Sequence, residues 1–162
     1  MEISSIIVSI TALIVSLIVA IKQIGIATQQ NSLPVIVTMF QEWRTKEHRE
    51  HREYIINKLT TENSAEVGYQ NLTPEAKNHV LTVSHFIDNL AVLVSNNIIN
   101  EKLVISFLGE SILTIWNILE PYIETERKVR GRDYQEYFED LVCRIKKTGP
   151  KEYRKHLLKF NI

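Results

Sequence analysis

Cysteine is almost missing from this chain. Cys143 stands alone in 162 residues, so no internal disulfide forms and the chain suits a reducing compartment. At an apolar helical position that thiol is expected to fill core space. Glycine is sparse too: Gly25, Gly68, Gly109, Gly131 and Gly149 are isolated, which excludes a glycine-rich phosphate loop. No H-E-x-x-H helix and no paired cysteines mark a metal centre, and no segment alternates as a strand would. Net charge is absent as well, with 19 basic and 19 acidic residues. That neutrality hides a gradient. Residues 60–143 carry 6 basic and 13 acidic side chains, whereas residues 144–162 carry 7 basic ones and only Glu152. A split of this kind points to a basic tail that meets an anionic surface.

What the sequence does have is one long apolar run. Ile3 to Ile21 reads ISSIIVSITALIVSLIVAI, 19 residues without a charge, 12 of them Ile, Val or Leu. As a helix it spans about 28 Å, close to the hydrocarbon thickness of a bilayer. Those 12 residues favour insertion by roughly 4–7 kcal/mol before the Ser and Thr penalties. A cleaved signal is the rival reading, but the Met-Glu start lacks a basic n-region and VAIKQIG lacks an A-x-A site. Lys22, Arg44, Lys46, Arg49 and Arg52 all follow the run and only Glu2 precedes it, which places the remainder in the cytoplasm. The sequon Asn71-Leu72-Thr73 is then just a loop. Ser5, Ser9, Ala12, Ser16 and Ala20 share one helical face, opposite Ile7, Ile10, Ile14, Ile18 and Ile21. Small faces let helices approach closely in lipid, so self-association is expected, with a simple anchor as the bland alternative.

The rest reads as helices. Pro34 is expected to interrupt the first near residues 31–33. A second is expected over residues 35–59 and a loop over 60–72. Thr73 and Pro74 start the next, with Val80, Val83, Ile87, Leu90 and Val94 inward and Asn97 in a left-handed cap. Asn100 caps another, whose face is Leu103, Phe107, Leu108, Ile112, Ile115, Trp116 and Leu119, with a kink or restart at Pro121. Gly131 ends it. A helix from Asp133 turns Tyr134, Tyr137, Phe138, Leu141 and Ile145 inward and stops at Gly149-Pro150. The fold expected is all-α: a single N-terminal transmembrane helix with its juxtamembrane extension (1–32), a cytoplasmic bundle of four to five helices (33–148), and a basic amphipathic C-terminal helix (149–162).

Three segments invite a chemical reading. EHREHREY, Glu47 to Tyr54, carries His48 and His51 on one face, which is half a metal site at most, with no third ligand in a motif. Its neighbours pair as Glu47–His51 and Arg49–Glu53, so the expectation is a solvated, salt-bridged face that can also dock a partner or respond to pH. Residues 40–58 sum to +1, too balanced for a nucleic-acid stripe. His85 and Asp88, three apart, are expected to make a register-fixing polar contact; no nucleophile marks catalysis there. In the tail, Lys151, Arg154, Lys155 and Lys159 alternate with Tyr153, Leu157, Leu158 and Phe160. A basic amphipathic helix of this kind contacts anionic lipid at about 1 kcal/mol per basic residue, with a plain solvated terminus as the alternative and nucleic acid or a nucleotide as a third, less favoured partner. No catalytic residue, cofactor site or metal ligand is assigned.

The order of segments is distinctive: FQEWRTKEHREHREYIINKL, then FIDNLAVLVSNNIINEKLVISFLGESILTIWNILEPYIETER, then RGRDYQEYFEDL. It resembles the prokaryotic domain-of-unknown-function family 4760, over roughly residues 36–142. The marks are Asp88-Asn89-Leu90, Gly109, Trp116, Pro121, Glu126-Arg127 and Tyr134 with Tyr137-Phe138. Asn97 stands where a glycine is expected. The resemblance implies a short bacterial membrane-anchored helical protein and no catalytic residues. The leading expectation is a non-enzymatic inner-membrane protein, N-terminus outside, that self-associates through its span and binds a cytoplasmic protein partner or senses a signal. The alternative is a membrane-disrupting or pore-forming effector of anti-phage defence, with Ser4, Ser5, Ser9, Thr11 and Ser16 lining a wet path. A membrane-bound enzyme comes third.

Overall fold

The computed structural model describes the backbone of residues 2–150 and the side chains of residues 9–23 and 33–150. The tail cations Lys151, Arg154, Lys155 and Lys159 lie outside the described residues. Among the described residues all regular structure is helical and there is no strand. The six α-helices are α1 (Glu2–Arg44), α2 (Lys46–Tyr54), α3 (Thr60–Glu62), α4 (Pro74–Ser95), α5 (Glu101–Arg130) and α6 (Glu136–Thr148). A π-turn, Ile55–Leu59, extends α2, and a 3-10 turn covers Ala65–Val67. The chain divides into two compact units, Met1–Thr38 and Met39–Ile162.

The first unit is helical throughout its described backbone, and each residue from Ser9 to Gln23 is exposed. The expected interruption at Pro34 does not occur, because α1 runs through it to Arg44. One proline removes a single backbone hydrogen bond, and long helical flanks absorb that loss. The break falls at Thr45 instead. Its hydroxyl donates to the Glu42 carbonyl at 2.8 Å and accepts from the His48 amide at 3.1 Å, closing one helix and capping the next. The second helix therefore begins eleven residues later than Val35.

In the second unit the caps follow the sequence. Thr73 Oγ1 accepts from Ala76 N at 3.2 Å with Pro74 behind it, and Asn100 Oδ1 accepts from Lys102 N at 2.9 Å. Asn97 has φ 55, a left-handed conformation that asparagine tolerates, which accounts for its place at a glycine position. Gly131 closes α5 at φ 63. Pro121 produces no restart, since α5 continues past it. α6 begins at Glu136, three residues after Asp133, and Gln135 before it offers no side-chain cap. Asp88 of α4 supplies one from outside, its Oδ1 accepting from Phe138 N at 2.9 Å.

α4 packs on α6 and α2, while α5 packs on α6, the 3-10 turn and the π-turn. Val80, Val83, Ile87, Leu90 and Val94 are buried as their spacing predicts, as are Leu108, Ile112, Ile115, Trp116 and Leu119. Phe138, Leu141 and Ile145 face inward, Trp116 meeting Phe138 edge-on at 5.0 Å. Three apolar expectations are corrected. Phe107 is 57% exposed, Tyr137 is exposed, and Cys143 lies on the solvent side of α6 rather than in the core. Cys143 follows Val142 and precedes Arg144 on a helix whose inward stripe is Phe138, Leu141, Val142 and Ile145, so residue 143 turns out. Among the described residues, only α5 is long and apolar enough to cross a membrane. Half of its apolar window is buried inside the protein, as befits a core helix, and Ser9–Gln23 is a shorter apolar segment.

Candidate functional site: a buried histidine–aromatic cluster

Half of α2 is the wet face its sequence suggests. Lys46 and Glu50 pair at 3.6 Å and Arg49 and Glu53 at 3.8 Å, all four well exposed. The histidines are not part of that face. His48 is 3% exposed and His51 8%, which corrects the reading of EHREHREY as solvated throughout. His48, His51, Ile55 and Leu59 fall three to four residues apart and turn inward together. The signal was present in that spacing. Imidazole reads as polar in a sequence, although it buries readily when its neighbours are rings.

Those neighbours come from three elements. Trp43, at the end of α1, lies 5.3 Å from both the His48 ring and the Phe86 ring of α4, and His48 meets Phe86 edge-on at 4.7 Å. His51 and His79 face each other Nδ1 to Nδ1 at 2.7 Å, so one nitrogen donates and the other accepts. Tyr54 stacks on His79 at 4.3 Å and donates its hydroxyl to Glu62 Oε2 at 2.7 Å. Glu47 Oε1 reaches His51 Nε2 only at 4.0 Å. His48 Nε2 is buried without a hydrogen-bond partner.

A proton is therefore unwelcome here. Burial first, then the Arg52 guanidinium and His51, lower the His48 pKa from 6.5 to about 4. Burial and His51 also lower that of His79. With its folded value below its unfolded one, His48 contributes stability that is whole above about pH 6.5 and is lost as pH falls toward about 4. Between pH 7.5 and 5 this loss comes to about 1–2 kcal/mol. His48→Phe places an apolar ring of similar shape between Trp43 and Phe86 and removes the orphaned nitrogen. Denaturant midpoints of the full chain at the two pH values should show the variant losing clearly less stability on acidification than the parent; equal losses would exclude His48 as the source.

The other sequence candidates separate. His85 Nε2 lies 3.3 Å from the Tyr134 hydroxyl, while Asp88 caps α6, so the two do not orient each other. Ser9, Ala12, Ser16 and Ala20 are exposed along α1; the Ser5 side chain lies outside the described residues. Among the described residues no group of three His, Cys, Asp or Glu side chains is placed to hold a metal ion. Glu126, which the sequence offers only as a mark of the family resemblance, is fully enclosed. Its Oε2 accepts from Tyr69 N at 2.9 Å and Gln70 N at 3.2 Å, and its Oε1 from Arg130 Nε at 2.6 Å. Arg127 beside it holds the Tyr134 carbonyl at 3.0 Å and Glu139 of α6 at 2.7 Å.

The family model for the domain of unknown function DUF4760 matches residues 6–145. The chain belongs to the DUF4760 family. The match takes in the apolar run from Ile6 as well as the helical unit, a longer reach than the 36–142 of the sequence resemblance. No curated protein and no solved structure matches the chain. Several residues that carry the family resemblance are clamps in this structure. Asp88 caps α6, Trp116 packs on Phe138, Glu126 and Arg127 tie a turn and a helix to α5, and Gly109 lies where a Cβ would meet Pro150 at 3.2 Å.

Proposed function

We propose that this DUF4760 protein is a non-enzymatic single-pass protein of the bacterial inner membrane. Its apolar helix crosses the bilayer, copies associate through Ser5, Ser9, Ala12, Ser16 and Ala20, and the cytoplasmic helical unit binds a protein partner or responds to a signal. The observation that carries the reading is the contrast between its two apolar helices. Half of the α5 apolar window is enclosed by its own unit, whereas from Ser9 to Gln23 every residue is exposed. Fifteen consecutive exposed residues of this composition are left in contact with solvent by the described residues, and lipid or further copies would cover them. The full uncharged run, Ile3 to Ile21, matches the hydrocarbon thickness, and the basic flank on its C-terminal side favours a cytoplasmic helical unit.

Cys143 offers a direct test of that topology, being the sole thiol and exposed. In intact spheroplasts a membrane-impermeant maleimide should leave it unlabelled, and lysis should label it to completion. Labelling of intact cells would place the helical unit outside and reverse the orientation.

A further inference from the structure

Near the α2 end of the second unit lies a cleft of roughly 260 Å³ lined by Phe40, Trp43, Arg44, Arg52, Phe107 and Leu108. Its two ends differ in chemistry. Phe40 and Phe107 meet at 5.5 Å with their rings tilted by 54°, and Phe107 keeps 57% of its surface in solvent on the side of α5 where Glu110, Ser111 and Thr114 are exposed too. Arg52 stands over the Trp43 ring at 4.0 Å and uses one nitrogen, Nη1, to donate to the Trp43 carbonyl at 2.6 Å. Among the described residues, neither Arg52 nor Arg44 forms an ion pair with a carboxylate. Elsewhere in this unit Arg127, Arg130 and Arg144 all do, each within 3.1 Å of a carboxylate oxygen. A half-buried guanidinium held on an aromatic face, with donors to spare and no carboxylate partner among the described residues, is a fixed cation suited to an anionic ligand.

We propose that this cleft binds an organic phosphate: the anionic oxygens sit on Arg52 and Arg44, and the apolar body attached to them lies across Phe40, Phe107 and Leu108. Guanidinium forks match phosphate geometry, and the exposed phenyl ring gives the body its apolar contact. Two sources carry that chemistry, a soluble phosphomonoester with an aromatic base and the headgroup of an anionic phospholipid. The assignment stands on the cleft alone and does not depend on the membrane reading above.

The test uses the full chain in phosphatidylcholine nanodiscs, with Trp43 emission as the readout; Trp116 is buried against Phe138 and gives a constant background. Three probes are titrated: inorganic phosphate, adenosine monophosphate, and discs of increasing phosphatidylglycerol content. A saturable change with adenosine monophosphate identifies the soluble source, and one with phosphatidylglycerol identifies the lipid. Either supports the proposal if inorganic phosphate binds at least tenfold more weakly. Arg52→Gln should weaken the binding tenfold or more. Arg44→Gln, on an exposed side chain whose loss leaves the fold intact, should weaken it at least threefold, with Lys128→Gln unchanged. No saturable response to any probe, or responses indifferent to Arg44→Gln, would overturn it.

Discussion

Replacing Glu126 by alanine lowers the unfolding free energy of the helical unit by about 3 kcal/mol or more, among the largest losses expected of any single substitution outside the apolar core. The carboxylate is fully enclosed and satisfies three donors at once: the amides of Tyr69 and Gln70 and the Arg130 guanidinium. Alanine leaves two amides without acceptors and a cation without its partner. The Arg130 side chain reaches water, so part of its charge is resolvated and the loss falls toward the lower end of the range for broken buried pairs. Glu126→Gln keeps one carbonyl oxygen for the two amides and should recover part of the loss. The turn before Tyr69 reinforces the requirement. Gly68 has φ 62, and a Cβ there would stand 3.2 Å from Glu126 Oε2, so the backbone approaches the carboxylate as closely as it does only because the side chain is hydrogen. Acidification acts in the same direction. Burial alone would raise the Glu126 pKa, but Arg130 and the two amides outweigh it and hold the value below the usual 4.5, so this stabilisation is present above pH 4.5 and is lost below it. Denaturant unfolding of the full chain in detergent, for parent, Gln and Ala forms, checks the order and the size.

If the α1 run is the anchor proposed above, arginine at both Ile10 and Ile14 should remove the protein from the membrane fraction. Each exchange turns a favourable contribution into an unfavourable one near the centre of the run, and two together shift insertion by about 6–8 kcal/mol. That is comparable to or larger than the roughly 4–7 kcal/mol which the 12 aliphatic residues of the run would supply. Both positions are exposed and lie opposite the serine–alanine face, so the substitution leaves that face unchanged. Alkaline carbonate extraction should move the variant from pellet to supernatant while the parent stays in the pellet. A variant retained in the pellet would mean that the α1 run is not the anchor.

Most of the helical unit was readable from caps and stripes. Thr73-Pro74, Asn100 and Gly131 each satisfy backbone groups within a few residues, so local sequence determines them, and the α4 stripe follows from 3.6-residue spacing alone. Pro34 misled for a complementary reason, and at Pro121 a restart was expected as one of two outcomes. Pro34 and Pro121 each disfavour helix locally, yet α1 and α5 continue through them, the tertiary setting of α5 outweighing one missing bond. Long-range partners were the least legible. That Asp88 would cap a helix fifty residues away, that His51 would find His79, and that Glu126 would hold the Tyr69 turn depend on how elements pack, which no spacing within one segment encodes. The cleft of Arg44 and Arg52 was hidden likewise. Within their own segment both arginines look like members of a balanced charge pattern, and only packing reveals that neither pairs with a carboxylate among the described residues.

Single cysteines introduced one at a time from Ser9 to Ala20, in a Cys143→Ser background, and oxidised in native membranes would test most directly how the helices meet. Disulfide-linked dimers should peak at positions 9, 12, 16 and 20, with minima at 10, 14 and 18. Peaks on the isoleucine face, or no cross-linking anywhere along the span, would contradict contact through the serine–alanine face.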